Sequence, residues 1–272
     1  MAPETAPAPG AAPASPATSV AASVELDAVS VSFGGLQALK DISFSVSHGE
    51  IVGLIGPNGA GKTTAFNVIC GFVRPTTGQV RFPSTGRSNL RPSQLARDGV
   101  SRTLQGVGLY PHLTVLENVM AGGQIRPSGG FFTSLFALPA GTRADRRLAV
   151  DASNMLDRLG IASFSRKLPS EIPYGVSKKV AVARALLCAP RLLLLDEPAS
   201  GLDEAELEDF ARLIVELRSE MAVLLVEHDM GFVMPLVERL VVLDFGEVIA
   251  TGRPSEIQSN PAVIEAYLGV QQ

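Results

Sequence analysis

The stretch that most constrains this chain is "IVGLIGPNGAGKTT", residues 51–64. Residues 51–55 carry no polar side chain and read as a strand buried on both faces. The chain then continues through Gly56, Pro57, Asn58, Gly59, Ala60, Gly61, Lys62, Thr63 and Thr64, and residues 56–63 fit the P-loop pattern G-x-x-x-x-G-K-[ST]. Its glycines let backbone N–H groups turn inward around phosphates, and the next helix adds its positive end. In that geometry Lys62 reaches the β- and γ-phosphates and Thr63 offers a hydroxyl to Mg²⁺. A glycine turn with no ligand would leave Lys62 unexplained at the mouth of a helix. A strand, this loop and a helix in succession point to nucleoside triphosphate binding.

A second apolar run, "RLLLLDEP" (residues 191–198), ends in Asp196 and Glu197. Neighbouring strand residues point to opposite sides, so the two carboxylates need not do one job. Asp196 is placed at the sheet edge beside the P-loop to support Mg²⁺, and Glu197 to orient or deprotonate a water attacking the γ-phosphate. The competing reading is an acidic pair that caps the next helix. His228 comes after the apolar run "AVLLVE" and is either a structural residue at a strand end or a hydrogen-bond partner of the γ-phosphate. Gln105, closing the strand "VSRTLQ" (residues 100–105), can touch Mg²⁺ or the attacking water.

Around these motifs, strands are expected at 23–33, 41–47, 51–55, 76–82, 100–105, 191–198 and 222–229. A hairpin is expected at 240–252, around Phe245 and Gly246. Helices are expected at 65–72, ended by Gly71, at 204–219 and near the C-terminus at 261–269. The section 106–172 shows no strand pattern and reads as an inserted helical subdomain, whose bounds become 106–188 with the next helix included. It includes "GGFFTSLF" and an amphipathic stretch, residues 143–160. No internal repeat is evident. Alternating strands and helices favour an α/β fold with a mainly parallel sheet.

Residues 1–22 are almost pure Ala, Pro, Ser and Thr, with neither the basic start nor the apolar core of a secretory signal. They read as a disordered tail ahead of a domain spanning 23–272. No window reaches the roughly 18–20 apolar residues of a spanning helix. The formal net charge of −4 argues against a basic nucleic-acid-binding face. Cys70 and Cys188 read as reduced buried thiols in a cytosolic protein.

With these motifs in this order, the chain resembles the nucleotide-binding subunits of ABC transporters. The order is the P-loop, Gln105, a helical insert, a small-residue helix, Asp196 and Glu197, "SGLD" at 200–203, then His228. It is most similar to the ATP-binding subunits of branched-chain amino-acid (LIV-type) importers and their amide and urea relatives, through "FGGLQALKDISFSV", "GGFFTSLF", "EHDM" and "NPAVIEAYLG". The resemblance covers residues 24–270. It implies a P-loop NTPase fold with an antiparallel β subdomain and an inserted α-helical subdomain, with ATP and Mg²⁺ as ligands.

The family's usual Leu-Ser-Gly-Gly-Gln signature falls on Ile172, Pro173, Tyr174, Gly175 and Val176. Pro-Tyr-Gly matches the branched-chain type, and Val176 departs from it. What survives is a glycine at a helix start, able to offer N–H groups to an anion. Ser177 or the Tyr174 hydroxyl could replace the missing serine hydroxyl, and Lys178 and Lys179 read as solvated. The family implies that this helix end meets ATP held by a second subunit, so two copies or two paralogues pair head to tail. It also implies that Phe33 stacks on adenine, against the rival reading of a core phenylalanine, and that Asp203 lies at the dimer seam. Gln105 and the insert would face separate integral membrane permease subunits on the cytoplasmic face, with a substrate-binding protein supplying cargo. One P-loop and a short insert favour transport over an ABC ATPase acting on ribosomes or DNA. A P-loop kinase or GTPase does not explain Asp196 and Glu197 followed by His228.

Overall fold

The computed structural model describes residues 22–103, 106–123 and 143–268. The expected tail up to residue 21, Gln105 and the "GGFFTSLF" stretch lie outside the described residues.

Two sheets organise the chain. In the first, β1 (Ala22–Phe33), β2 (Leu36–Ser47), β4 (Thr77–Phe82) and β5 (Arg87–Ser88) run antiparallel in the order β2-β1-β4-β5. The second holds β3 (Ile51–Ile55), β6 (Val100–Arg102), β7 (Leu192–Asp196), β8 (Ala222–Val226), β9 (Arg239–Asp244) and β10 (Glu247–Gly252). Its order is β10-β9-β3-β8-β7-β6, parallel throughout except for the β9–β10 hairpin.

Every residue of β3, β7 and β8 is buried, as their continuous apolar runs require. Their side chains divide by parity. Ile51, Ile55, Leu193, Leu195, Val223 and Leu225 enter one apolar cluster. Val52, Leu54, Leu192, Leu194, Leu224 and Val226 enter the other. The first cluster is closed by α5 (Tyr174–Leu186) and α6 (Glu204–Leu217), through Val180, Ala183, Phe210, Ile214 and Leu217. The second is closed by α1 (Lys62–Ile69) and the antiparallel sheet. The parallel sheet is thus the middle layer of three. Helices α3 (Val115–Gly123) and α4 (Arg143–Arg158) join the first cluster through Val115, Val119, Ala152 and Leu156.

Several boundaries differ from expectation for local reasons. Helix α1 starts at Lys62 rather than 65, because the end of the P-loop is itself the first helical turn. It closes at Cys70, with Gly71 at φ +69°. Strand β6 stops at Arg102, and Thr103 continues toward β7 with a single bond from its amide to the Leu194 carbonyl. The short helices are α2 (Pro92–Leu95), α7 (Met230–Val233) and α8 (Pro254–Gln258), and α9 (Pro261–Leu268) is the last described helix. Strand β8, which leads to His228, lies between β3 and β7, so the Asp196 strand is one removed from the P-loop strand.

Candidate active site

The P-loop, the Asp196–Glu197 pair and His228 all lie at the carboxyl ends of three neighbouring parallel strands, β3, β7 and β8. Open α/β sheets bind ligands at that end. Gly56, at φ +149°, turns so close to the β9 backbone that a Cβ there would lie 2.1 Å from the Leu243 carbonyl oxygen. The β9–β10 turn braces the loop, since the Gly246 amide donates to the Ala60 carbonyl at 3.0 Å. Among the described residues, no acceptor faces the amides of Lys62, Thr63 or Thr64, and Gly61 supplies no side-chain cap. Those N–H groups at a helix start are the donors a phosphate takes. The Lys62 ammonium folds back onto the Gly56 carbonyl (2.6 Å) and the Pro57 carbonyl (2.8 Å). Burial lowers its pKa, and the nearby Glu197 charge works the other way. Thr63 is exposed beside it.

Asp196 and Glu197 part company because the strand ends at Asp196 and the chain turns at Glu197. Asp196 is buried and its Oδ2 accepts from Arg102 at 2.7 Å. Arg102 also donates to Asn67 at 2.9 Å and lies over the Phe66 and Phe72 rings. Glu197 turns outward at φ +48°, with its side chain about one-third exposed. Its Oε1 lies 4.0 Å from His228 Nδ1, and the His228 side chain is 63% exposed. A water or a phosphate oxygen can reach both. The Asp-Glu pair caps no helix: the cap of α6 is Asp203, whose Oδ1 accepts from the Glu206 amide at 2.9 Å.

Phe33 ends β1 and is half exposed, so it is not a core residue and its ring is open to a ligand. At the start of α5 two expectations change, those for Ser177 and Lys178. The Ser177 hydroxyl donates back to the Pro173 carbonyl at 3.2 Å and is buried, so it is turned away from any anion. Val176 packs against the apolar cluster, which accounts for valine in place of glutamine. Lys178 is buried rather than solvated, and Lys179 lies 3.7 Å from Asp209. Tyr174 stays exposed, and Gly175 is in the first helical turn. Gln105 lies outside the described residues.

Three residues had no sequence signal strong enough to single them out. Arg102 is a lone cation near the end of a short strand. Glu227 is fully buried, and its carboxylate accepts from the amides of Ala199 (2.6 Å) and His228 (3.0 Å). Tyr267 of α9 is pushed up to about 12 by burial, with the Gly56 backbone opposing that shift.

Residues 39–200 match the family model described as "ABC transporter". The chain belongs to the ABC transporter family. A second model, "Branched-chain amino acid ATP-binding cassette transporter", matches residues 247–271 of this ABC ATPase. The ABC ATPase is 38% identical to the high-affinity branched-chain amino acid transport ATP-binding protein BraF of Pseudomonas aeruginosa, over 90% of this chain and 97% of that protein. It is 41% identical to the corresponding protein LivG of Salmonella typhimurium, over 87% and 94%. The lipopolysaccharide export system ATP-binding protein LptB of Haemophilus influenzae is 32% identical over 88% and 94%. Among solved structures, a nucleotide-free ATP-binding cassette from an ABC transporter superposes with TM-score 0.79 at 29% identity, covering 91% of this chain and 99% of that one. The ADP conformation of such a cassette superposes equally well, with TM-score 0.79 at 30% identity over 92% and 99%. This ABC ATPase accordingly binds nucleotide, and the chain is an ATP-hydrolysing transporter subunit.

Proposed function

We propose that this chain powers an importer for branched-chain amino acids or related small amides. The match of residues 247–271 to the branched-chain model, with 38–41% identity to branched-chain amino acid transport proteins against 32% to an export protein, supports that substrate class. Among the described residues no helix is long and apolar enough to cross a membrane. The passage is therefore assigned to separate permease subunits, with a substrate-binding protein as donor of cargo. The ATPase sits peripherally on their cytoplasmic face, and the formal charge of −4 gives nucleic acid no part in this reading.

In this reading the P-loop amides and Lys62 hold the ATP phosphates, and Phe33 stacks on the base. The Thr63 hydroxyl and the Asp196 carboxylate hold Mg²⁺. They fit it: Mg²⁺ bound with a nucleotide takes one or two carboxylates and keeps phosphate and water oxygens. Bound Mg²⁺ neutralises charge on the β- and γ-phosphates. Glu197 takes a proton from the attacking water, and His228 donates a hydrogen bond to a γ-phosphate oxygen. Gln105 contacts the metal or that water. Two copies, or this chain and a paralogous ATPase, pair head to tail. The first-turn amides of α5, at Tyr174 and Gly175, carry no side-chain cap and meet the partner's nucleotide. Asp203 lies at that seam. Closure on ATP and release after hydrolysis drive the permease.

Glu197→Gln tests the reading. Removing a general base slows turnover by about 10²–10⁴-fold while Mg·ATP still binds. The variant should elute as an ATP-trapped dimer in size-exclusion chromatography. In membrane vesicles the wild-type complex should take up radiolabelled leucine, isoleucine, valine or a small amide. Full ATPase activity in the variant would refute the base, and no uptake of any of these solutes would refute the substrate class.

A further inference from the structure

Glu197 sits at φ +48°, a left-handed conformation that non-glycine residues rarely adopt. Such a conformation persists only where its surroundings over-determine it. Four contacts hold this turn. The Glu197 amide donates to the Val226 carbonyl at 2.9 Å, and the Ser200 amide to the Glu197 carbonyl at 3.3 Å. The Ala199 amide donates to Glu227 at 2.6 Å. The fourth comes from helix α5: the Lys178 ammonium donates to the Glu197 carbonyl at 3.1 Å and to the Pro198 carbonyl at 2.7 Å.

Lys178 is a buried cation with a purpose-built setting. Burial lowers its pKa, and the charges of Glu227 and Glu197 oppose that shift. Its Nζ lies 5.5 Å from the centre of the Tyr174 ring. The start of the same helix is packed onto the loop beyond Glu197. A Cβ on Gly201 would lie 2.9 Å from Tyr174 Cε1, and one on Gly175 would lie 2.4 Å from Glu206 Oε1. The first turn of α5 is therefore packed directly against the segment 197–206.

We propose that Lys178 is a positioning residue for Glu197, tying the Tyr174 and Gly175 helix end to the carboxylate that activates water. The inference rests on the proposed function, in which Glu197 is the base and that helix end meets the partner's nucleotide. A shift of α5 on engaging a second subunit's phosphates is then passed through two hydrogen bonds to this chain's own catalytic turn. Hydrolysis in one site is thereby made conditional on occupancy of the other.

The test uses Lys178→Met, which keeps the aliphatic stem and removes the donor, in the full chain with its partners. Misplacement of a catalytic group costs up to about 100-fold, so kcat should fall about 10- to 100-fold. Equilibrium binding of a fluorescent ATP analogue should stay within about threefold, and Lys178→Arg should recover most of the rate. In a Glu197→Gln background the Met substitution should cost less than about twofold in single-turnover hydrolysis, because its effect passes through Glu197. A folded Lys178→Met with wild-type kcat, or equal losses in both backgrounds, would overturn the inference. If Lys178→Met does not fold, Glu227→Gln replaces it. That variant keeps an acceptor for Ala199 and removes the balancing charge, and an unaltered kcat there is equally fatal. A fully active Glu197→Gln sinks the base assignment itself, whereas an inactive Glu197→Gln beside a fully active Lys178→Met sinks only the role of Lys178.

Discussion

Replacing Arg102 with methionine breaks the most buried arginine–carboxylate pair among the described residues. Its guanidinium lies 2.7 Å from Asp196, with side chains only 15% and 7% exposed. Breaking a buried pair by removing one partner costs about 3–5 kcal/mol, because the other charge stays buried without compensation. The hydrogen bond to Asn67 is lost with it, and methionine fills much of the space over Phe66 and Phe72. For a chain of this size that loss lowers Tm by about 6–20 °C. Urea and thermal unfolding followed by circular dichroism measure both numbers. Two further results are expected. Arg102→Met with Asp196→Asn should recover more than half the loss, since the neutral amide needs no cation. On the proposed role of Asp196 toward Mg²⁺, Mg·ATP should stabilise Arg102→Met by more than it stabilises the wild type, because a cation held there would replace the missing positive charge. A loss below about 1 kcal/mol, typical of exposed pairs, or a double variant no more stable than the single one, would refute the reasoning.

Two other expectations are independent of the nucleotide. Burial pushes the Cys70 thiol up to about 11 from an ordinary value of 9.0. The folded state holds this proton where the unfolded state releases it, so stability falls as pH rises from 9 to 11, by at most about 3 kcal/mol. Cys70→Ala should show a shallower decline over that window in urea titrations, and an identical decline would count against the assignment. At the α3–α5 crossing, a Cβ on Gly122 would lie 2.0 Å from the Arg184 carbonyl oxygen. Backbone cannot step aside, so Gly122→Ala should cost about 1–3 kcal/mol by forcing the helices apart. The KM for ATP should be unchanged, and a wild-type Tm would show that the crossing is looser than its geometry.

The local chemistry was legible because it is written in contiguous residues. The P-loop carries its loop, its lysine and its helix start in residues 56–64, and the runs of β3, β7 and β8 announce strands buried on both faces. Period two then determines which side chains feed each apolar cluster. What lies across the sheet could not be read the same way. Arg102 meets Asp196 from 94 positions away, and Glu227 reaches Ala199 across 28. Both contacts exist because strand order sets β8 and β6 on either side of β7. Lys178 looked solvated for the same reason. A lysine beside a second lysine at a helix start resembles any surface pair until the turn after β7 is folded over it. Sequence specifies what each segment can do and which faces it must bury. Partners distant along the chain meet only once the strands have an order, and here that order decides which charges are buried together.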